Sequence, residues 1–280
     1  MRFNLYREHG ALNSKPVFDA FEQGLKQLGH TVVDSNEDVS VIWSVLWSGR
    51  MAHNRRIYNS TKPVIIIEVG NLIRGITWRI SLININGLGQ FANTEELDRD
   101  RPKKLGLKLY PTQLDRKPEI LIASQHQHSL QWEGMPSMSQ WIYNTVSKLR
   151  EYTNREIIVR PHPRSPVSVS IPGVSISRPS LINGTYDSFD IDYNYHCIVN
   201  HNSGPAVQAA IHGTPIICDS SSLAAELSGT IENIENIILP PREEWFLKLC
   251  HSEWTITEIS QGIPLSRLEL FLSDQLTSTI

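Results

Sequence analysis

Cysteine is scarce in this 280-residue chain: Cys197, Cys218 and Cys250 are odd in number, widely spaced and match no metal-binding pattern. A disulfide framework and a cysteine-rich zinc site are therefore not expected, and buried thiols in a reducing compartment are. Long apolar runs are missing too. None approaches the ~20 residues needed to cross a bilayer, and no apolar stretch follows a basic start, so a soluble, cytoplasmic protein without a membrane partner is expected. Charge of one sign is not in excess: 26 Lys and Arg stand against 29 Asp and Glu, for a net charge of −3. A nucleic-acid partner would need a local basic patch. There is no internal repeat and no low-complexity tract.

Apolar residues make up 40% of the chain and charged residues 20%, enough for a full core and too ordered a balance for disorder. The length favours two domains. "PVFDAFEQGLKQLG" has helical spacing at Val17, Phe18, Phe21, Leu25 and Leu28, with Gly29 as its stop. "MRFNLYRE", "HTVVD", "VSVIWSVL" and "PVIIIEVG" read as strands, the last ending in Glu68 and Gly70. "RDRPKKLGLKLYPTQLDRKP" is charged and proline-rich without a period, which makes it the linker candidate, with a boundary near 112–118. Strand and helix alternate again through "EILIASQ", "MSQWIYNTVSKLREYT", "REIIVRPHPRSP" and "HCIVNHNSG". The tail from Arg242 reads as two amphipathic helices. Such alternation predicts α/β architecture with parallel sheets. The expected layout is two Rossmann-like domains facing a cleft, 1–115 and 116–280, the C-terminal helices packing back on the first.

In open parallel sheets ligands bind beyond the carboxyl ends of the strands. That rule selects Glu68, the segment Ser124–His128 with Ser124 and Gln125 at its start, the segment Arg160–Arg164, the segment Asn200–Gly204 and the segment Asp219–Ser222. In "IVNHNSGPAVQAAIHGTPIICD" an apolar strand gives way to His201-Asn202-Ser203-Gly204, and Pro205 opens a helix. A helix start offers unpaired N–H groups to an anion, Gly204 allows close approach, and the Ser203 hydroxyl adds a donor. Asn202 and Ser203 also suit a plain helix cap. In "IIVRPHPR" two prolines hold Arg160, His162 and Arg164 in one short turn, three cationic or donor side chains suited to phosphate. Asp219, after the next strand, is placed to hold sugar hydroxyls or to cap the following turn.

A strand ending in "RPHP", followed by "VNHNSGPAVQAAIHGTPII", resembles the donor half of GT-B glycosyltransferases, an outline shared by capsule-type sugar transferases, sialyltransferases and glycerophosphotransferases. The resemblance covers about residues 118–225. It implies that His162 and Ser203 bind the donor's nucleotide phosphate, with Arg160 and Asn202 beside them. It also implies a nucleotide sugar as co-substrate, expected to be a UDP-sugar, and no required cofactor. The stretch from Ser129 to Arg164 and the Trp-rich tail look like phage-encoded glycosyltransferases, several of which modify hydroxymethylated bases in DNA. That second resemblance implies transfer to 5-hydroxymethylcytosine in double-stranded DNA, inside the host cell; a surface or capsular saccharide is the alternative acceptor. A non-catalytic nucleotide-sugar binding module and a nucleotide-sugar epimerase are further readings.

Glycosyl transfer needs a base for the acceptor hydroxyl. Glu68 closes the most apolar strand of the first domain and is the candidate, with pairing to Arg74 or Arg79 as its plainer role; Asp100 and Asp115 are alternatives. For an acceptor groove the first domain offers Arg50, Arg55, Arg56 and Lys62 in "GRMAHNRRIYNSTK", Arg101, Lys103 and Lys104 in "RDRPKK", Arg79, and the indoles of Trp43, Trp47 and Trp78. No metal site is expected. Asp190-Ile191-Asp192, an Asp-x-Asp before the strand that holds Cys197, reads as a loop.

Overall fold

The computed structural model describes residues 1–94, 96–184 and 188–278, which fall into two compact units. The first comprises Met1–Arg101, His128–Leu130 and the chain from Leu247 onward; the second comprises Pro102–Gln127 and Gln131–Phe246.

The first unit is built on a six-stranded sheet. Its strands are β1 (Arg2–Leu5), β2 (Thr31–Val32), β3 (Val39–Trp43), β4 (Val64–Val69), β5 (Thr77–Leu82) and β13 (Glu253–Thr255), in the order β13-β5-β4-β3-β1-β2. The isoleucine run of β4 forms a central strand because both of its faces are covered. Ile65 and Ile67 join Phe3, Val41 and Trp43 in the core under α1 (Lys15–Gln27), while Val64 and Ile66 meet Ile42, Val45 and Ile85 on the other face. Such two-sided burial is what a continuous apolar run in a strand encodes. The helix α1 stops at the expected residue: Gly29 takes φ +76, a left-handed turn that glycine adopts without a Cβ penalty. A short helix, α2 (Asn54–Tyr58), follows β3.

The second unit holds a five-stranded parallel sheet. Its strands are β6 (Ile120–Ala123), β7 (Ile157–Arg160), β8 (Val174–Ile176), β11 (Cys197–Asn200) and β12 (Ile216–Ile217), in the order β12-β11-β6-β7-β8. A two-stranded ladder of β9 (Ser180–Leu181) and β10 (Phe189–Asp190) stands apart from that sheet. The helix α4 (Met138–Arg150) buries Met138, Ile142, Val146 and Leu149 against Ile120, Ile122, Ile157 and Val159. The helix α5 (Gly204–Ile211) connects β11 to β12. The α/β architecture read from the sequence is the one present, with an all-parallel sheet in the second unit.

Three expectations are corrected. The chain passes from one unit to the other at Arg101, inside α3 (Arg101–Lys104), rather than near 115, and residues 102–118 belong to the second unit. The tail is three helices, α6 (Glu243–Cys250), α7 (Ile256–Ser260) and α8 (Ile263–Ser278), and a strand, not two helices. From Leu247 onward it belongs to the first unit, where Ile259, Leu265, Leu268 and Leu272 enter the core that contains α1. The first sheet is also mixed rather than parallel, because β5 runs antiparallel to β4 and β13 antiparallel to β5. No described helix is long and apolar enough to cross a membrane.

Candidate functional site

Four loops meet the carboxyl ends of the parallel strands in the second unit. After β7, Pro161 and Pro163 shape the turn that presents His162. The His162 backbone N–H donates to Ser124 Oγ at 2.9 Å, and the Arg164 N–H donates to His162 Nδ1 at 3.1 Å. Because Nδ1 accepts, a neutral His162 ring carries its hydrogen on Nε2. His126 stands edge-on to this ring at 5.4 Å, and Arg164 is exposed beside it.

After β11, Asn200 organises the helix start. Its Nδ2 donates to Ala123 O at 2.8 Å and to Ser203 Oγ at 3.0 Å, while its Oδ1 accepts the Ser203 N–H at 2.9 Å. Ser203 is the N-cap of α5, with extended backbone, yet its side chain makes no capping bond. The first-turn N–H groups of α5 therefore have no side-chain cap; Ser203 Oγ accepts from Asn200 Nδ2 instead, which leaves the hydroxyl hydrogen to donate. Gly204 and Pro205 continue the helix without adding a side-chain donor. The plain cap reading of Ser203 is not what this geometry shows.

Asn202 and Gln125 are placed differently from the phosphate neighbours expected of them. Both are buried, 6% and 3% exposed, and joined twice: Gln125 Nε2 donates to Asn202 Oδ1 at 3.0 Å, and the Asn202 N–H donates to Gln125 Oε1 at 3.2 Å. Asn202 Nδ2 donates to Ser221 Oγ at 2.9 Å, and Ser221 Oγ donates to Asp219 Oδ1 at 2.5 Å. This chain of polar side chains ties the ends of β6, β11 and β12 together. Burial alone would raise the Asp219 carboxyl, but hydrogen bonds from the Ser221 side chain and backbone, with His201 close by, hold it below the usual carboxylate range. Ser221 falls in the segment Asp219–Ser222 that the strand-end rule selects, as one of three consecutive serines. Arg160 is buried and turned toward the 192–195 loop, its Nη2 donating to Asp192 O at 2.8 Å while the guanidinium carbon lies 5.7 Å from the Tyr195 ring centre. Its Nη1 has no hydrogen-bond partner. Asp192 pairs with Lys117 at 2.5 Å, and no cluster of three or more metal-ligating side chains occurs among the described residues.

A concavity of about 670 Å³ opens near Arg150, Tyr152, Thr153, Arg155 and Glu235. It lies before β7, at the amino end of the sheet, and its charges are already satisfied: Arg155 pairs with Glu235 at 2.9 Å, and Thr153 Oγ1 also bonds Glu235. In open parallel sheets ligands bind at the other end, beyond the carboxyl ends of the strands.

In the first unit, Glu68 is half-buried near the carboxyl end of β4. Its Oε2 accepts from Ser44 Oγ at 2.6 Å and its Oε1 accepts the Val69 N–H at 2.8 Å. The loop beyond it is held from below by Glu253 of β13, 0% exposed, which accepts from Asn71 N at 2.5 Å, Leu72 N at 2.9 Å and Thr77 Oγ1 at 2.8 Å. Gly70 is required there, since a Cβ would stand 2.3 Å from Glu253 Oε2. Burial pushes the Glu253 carboxyl above its ordinary value, against the pull of Arg79 and those three donors.

Of the residues read as an acceptor groove, only part remains at the surface. Arg50, Arg55 and Arg56 are exposed on the segment after β3. Arg79 instead donates to Val69 O at 3.0 Å and Ile85 O at 2.9 Å. Arg101 is buried against Glu258, Cys250 O and Glu253 O, and Lys62 pairs with Glu37 at 2.8 Å. Trp43 and Trp78 are core residues at 1% and 3% exposure, unavailable for base stacking, and Trp47 is half-buried against Tyr58.

The sequence matches no protein-family profile and no curated protein. The fold is similar to that of two solved structures from Thermosulfurimonas dismutans. One is "KpsC, beta Kdo 2,7 transferase", 14% identical with a TM-score of 0.54, covering 95% of this chain and 99% of that one. The other is "KpsC, beta Kdo 2,4 transferase", 12% identical with a TM-score of 0.52, covering 94% and 98%. At these identities the likeness is one of fold.

Proposed function

We propose that this chain is a glycosyltransferase that moves a sugar from a nucleotide-diphosphate donor, a UDP-sugar in the first instance, to a hydroxyl of a saccharide. The observation that carries the reading is the pairing of His162, its Nδ1 occupied by the Arg164 N–H, with a helix start at Ser203 that has no side-chain cap. An imidazole Nε2–H, a serine hydroxyl and the first N–H groups of α5 are donors suited to a diphosphate that gains charge as it leaves. In the reaction the acceptor oxygen forms a bond to the anomeric carbon and the bond from that carbon to the phosphate oxygen breaks. Glu68 takes the acceptor's proton, and the nucleotide diphosphate departs with the electron pair. Arg160, with one buried nitrogen still unpartnered, adds positive charge to the donor unit. The likeness to structures named as Kdo transferases supports a saccharide acceptor.

Hydroxymethylated DNA is the second acceptor reading, favoured by exposed Arg50, Arg55 and Arg56. It is the weaker one, because Arg79, Arg101, Trp43 and Trp78 are committed to the interior of the first unit. Incubation with UDP-, GDP-, dTDP- and CMP-sugars, together with either saccharide acceptors or hydroxymethylated duplex DNA, separates these by mass spectrometry of the products. Transfer to saccharide is expected. Donor conversion without any acceptor would mean an epimerase, and donor binding without turnover a binding module.

A further inference from the structure

The candidate base has a companion that the reaction scheme leaves out. Ser44 follows β3 and is 4% exposed. It takes φ +64, a left-handed backbone that a non-glycine residue keeps only where its surroundings impose it. Here they do. The Ser44 N–H donates to Ile67 O at 2.8 Å, so the residue is still anchored to β4 one position before Glu68. The Leu46 N–H donates to Ser44 Oγ at 3.1 Å, which occupies a lone pair of the hydroxyl and leaves its hydrogen for Glu68 Oε2, 2.6 Å away. The turn out of β3 thus aims one hydroxyl at one carboxylate oxygen. The groups that fix Glu68 are then Ser44 on Oε2 and the Val69 N–H on Oε1, while the neighbouring Arg79 is held by carbonyl oxygens.

We propose that Ser44 is a positioning residue for the Glu68 carboxylate, and that the left-handed turn is kept because it delivers this hydrogen bond. The inference rests on the reading of Glu68 as general base. Proton abstraction depends on placement at the ångström scale, where misplacement costs on the order of a hundredfold in rate. An alanine at 44 keeps the strain and loses the hydroxyl; a glycine loses both.

The test uses the full chain and the donor–acceptor pair identified by the product screen. Ser44→Gly and Ser44→Ala are each expected to lower kcat about tenfold to a hundredfold with KM for the donor unchanged. Ser44→Gly should also melt at a higher temperature than Ser44→Ala, since glycine takes φ +64 freely. In a Glu68→Gln background neither change should slow the reaction further, because the carboxylate it serves is gone. Equal slowing in both backgrounds overturns the proposal, as Ser44 would then act independently of Glu68. A slow Glu68→Gln enzyme with a normal Ser44→Gly enzyme overturns it while leaving the base in place. A normal Glu68→Gln enzyme, or no turnover of any donor by the native chain, removes the base reading and this proposal with it.

Discussion

His162 shows how neighbours set the hydrogen-bonding polarity of a single side chain. Histidine in a sequence offers two interchangeable nitrogens, and only the Arg164 N–H on Nδ1 decides that Nε2 is the donor. His162→Ala should weaken nucleotide-sugar binding by about 1.5–3 kcal/mol, the range for a hydrogen bond to a charged group, read as a Kd shift by titration calorimetry. An unchanged Kd would remove His162 from the donor site. Asn202 makes the contrasting case. With its side-chain oxygen and nitrogen both bonded inside the fold, Asn202→Ala should lower thermal stability as well as donor affinity, because Gln125 and Ser221 lose their partner. A variant that lost affinity alone would make Asn202 a direct ligand after all.

At the scale of elements, the end of α5 and the return of the tail are the most exposed to a single change. Gly213 ends the turn after α5 with φ +84, and a Cβ there would stand 2.1 Å from Pro111 O. Gly213→Ala should therefore cost more than the ~1 kcal/mol of left-handed strain alone, measurable by urea unfolding. The strand β13 and helix α7 are held by Arg101, whose guanidinium reaches Cys250 O, Glu253 O and the Glu258 carboxylate. Burial raises the Glu258 carboxyl, but Arg101 and the capping Thr255 outweigh it, so its value lies below the ordinary 4.5. An acid lowered on folding contributes stability above its unfolded value, and that contribution is lost as the pH falls through the folded one. The melting temperature should drop below about pH 4.5, and Glu258→Gln should flatten the drop. Arg101→Ala, which leaves the half-buried Glu258 carboxylate and two carbonyl oxygens without their donor, should cost about 1–3 kcal/mol at neutral pH.

For the whole molecule, the three cysteines are free and not surface groups: Cys197 and Cys250 are buried and Cys218 is partly so. Burial raises all three thiols, Cys250 to about 12, and thiolate is the reactive form. A disulfide-exchange reagent should react slowly with the native chain and rapidly after unfolding, and reductant should leave the melting temperature unchanged. Rapid stoichiometric labelling of the native chain would contradict the burial.

The fold class and most elements were legible because they are written in local patterns: the isoleucines of β4, the helical spacing of α1 and α4, the glycine after α1 and after α5. The candidate site takes its outline from the same patterns, since strand ends mark the loops that carry Glu68, His162 and Ser203. What only the tertiary structure decided depends on partners distant in sequence. Glu253 becomes a strand residue beneath Gly70 because β5 offers it an antiparallel edge. Trp43 and Trp78 face the core because of their strand register. Arg79 and Arg101 look like free cations in sequence and are tied to interior carbonyl oxygens in the fold. Ser44 is one serine in an apolar run, and nothing local marks its left-handed turn. Periodicity records which face of an element is buried; which polar groups meet there is set by chain segments that the period does not contain.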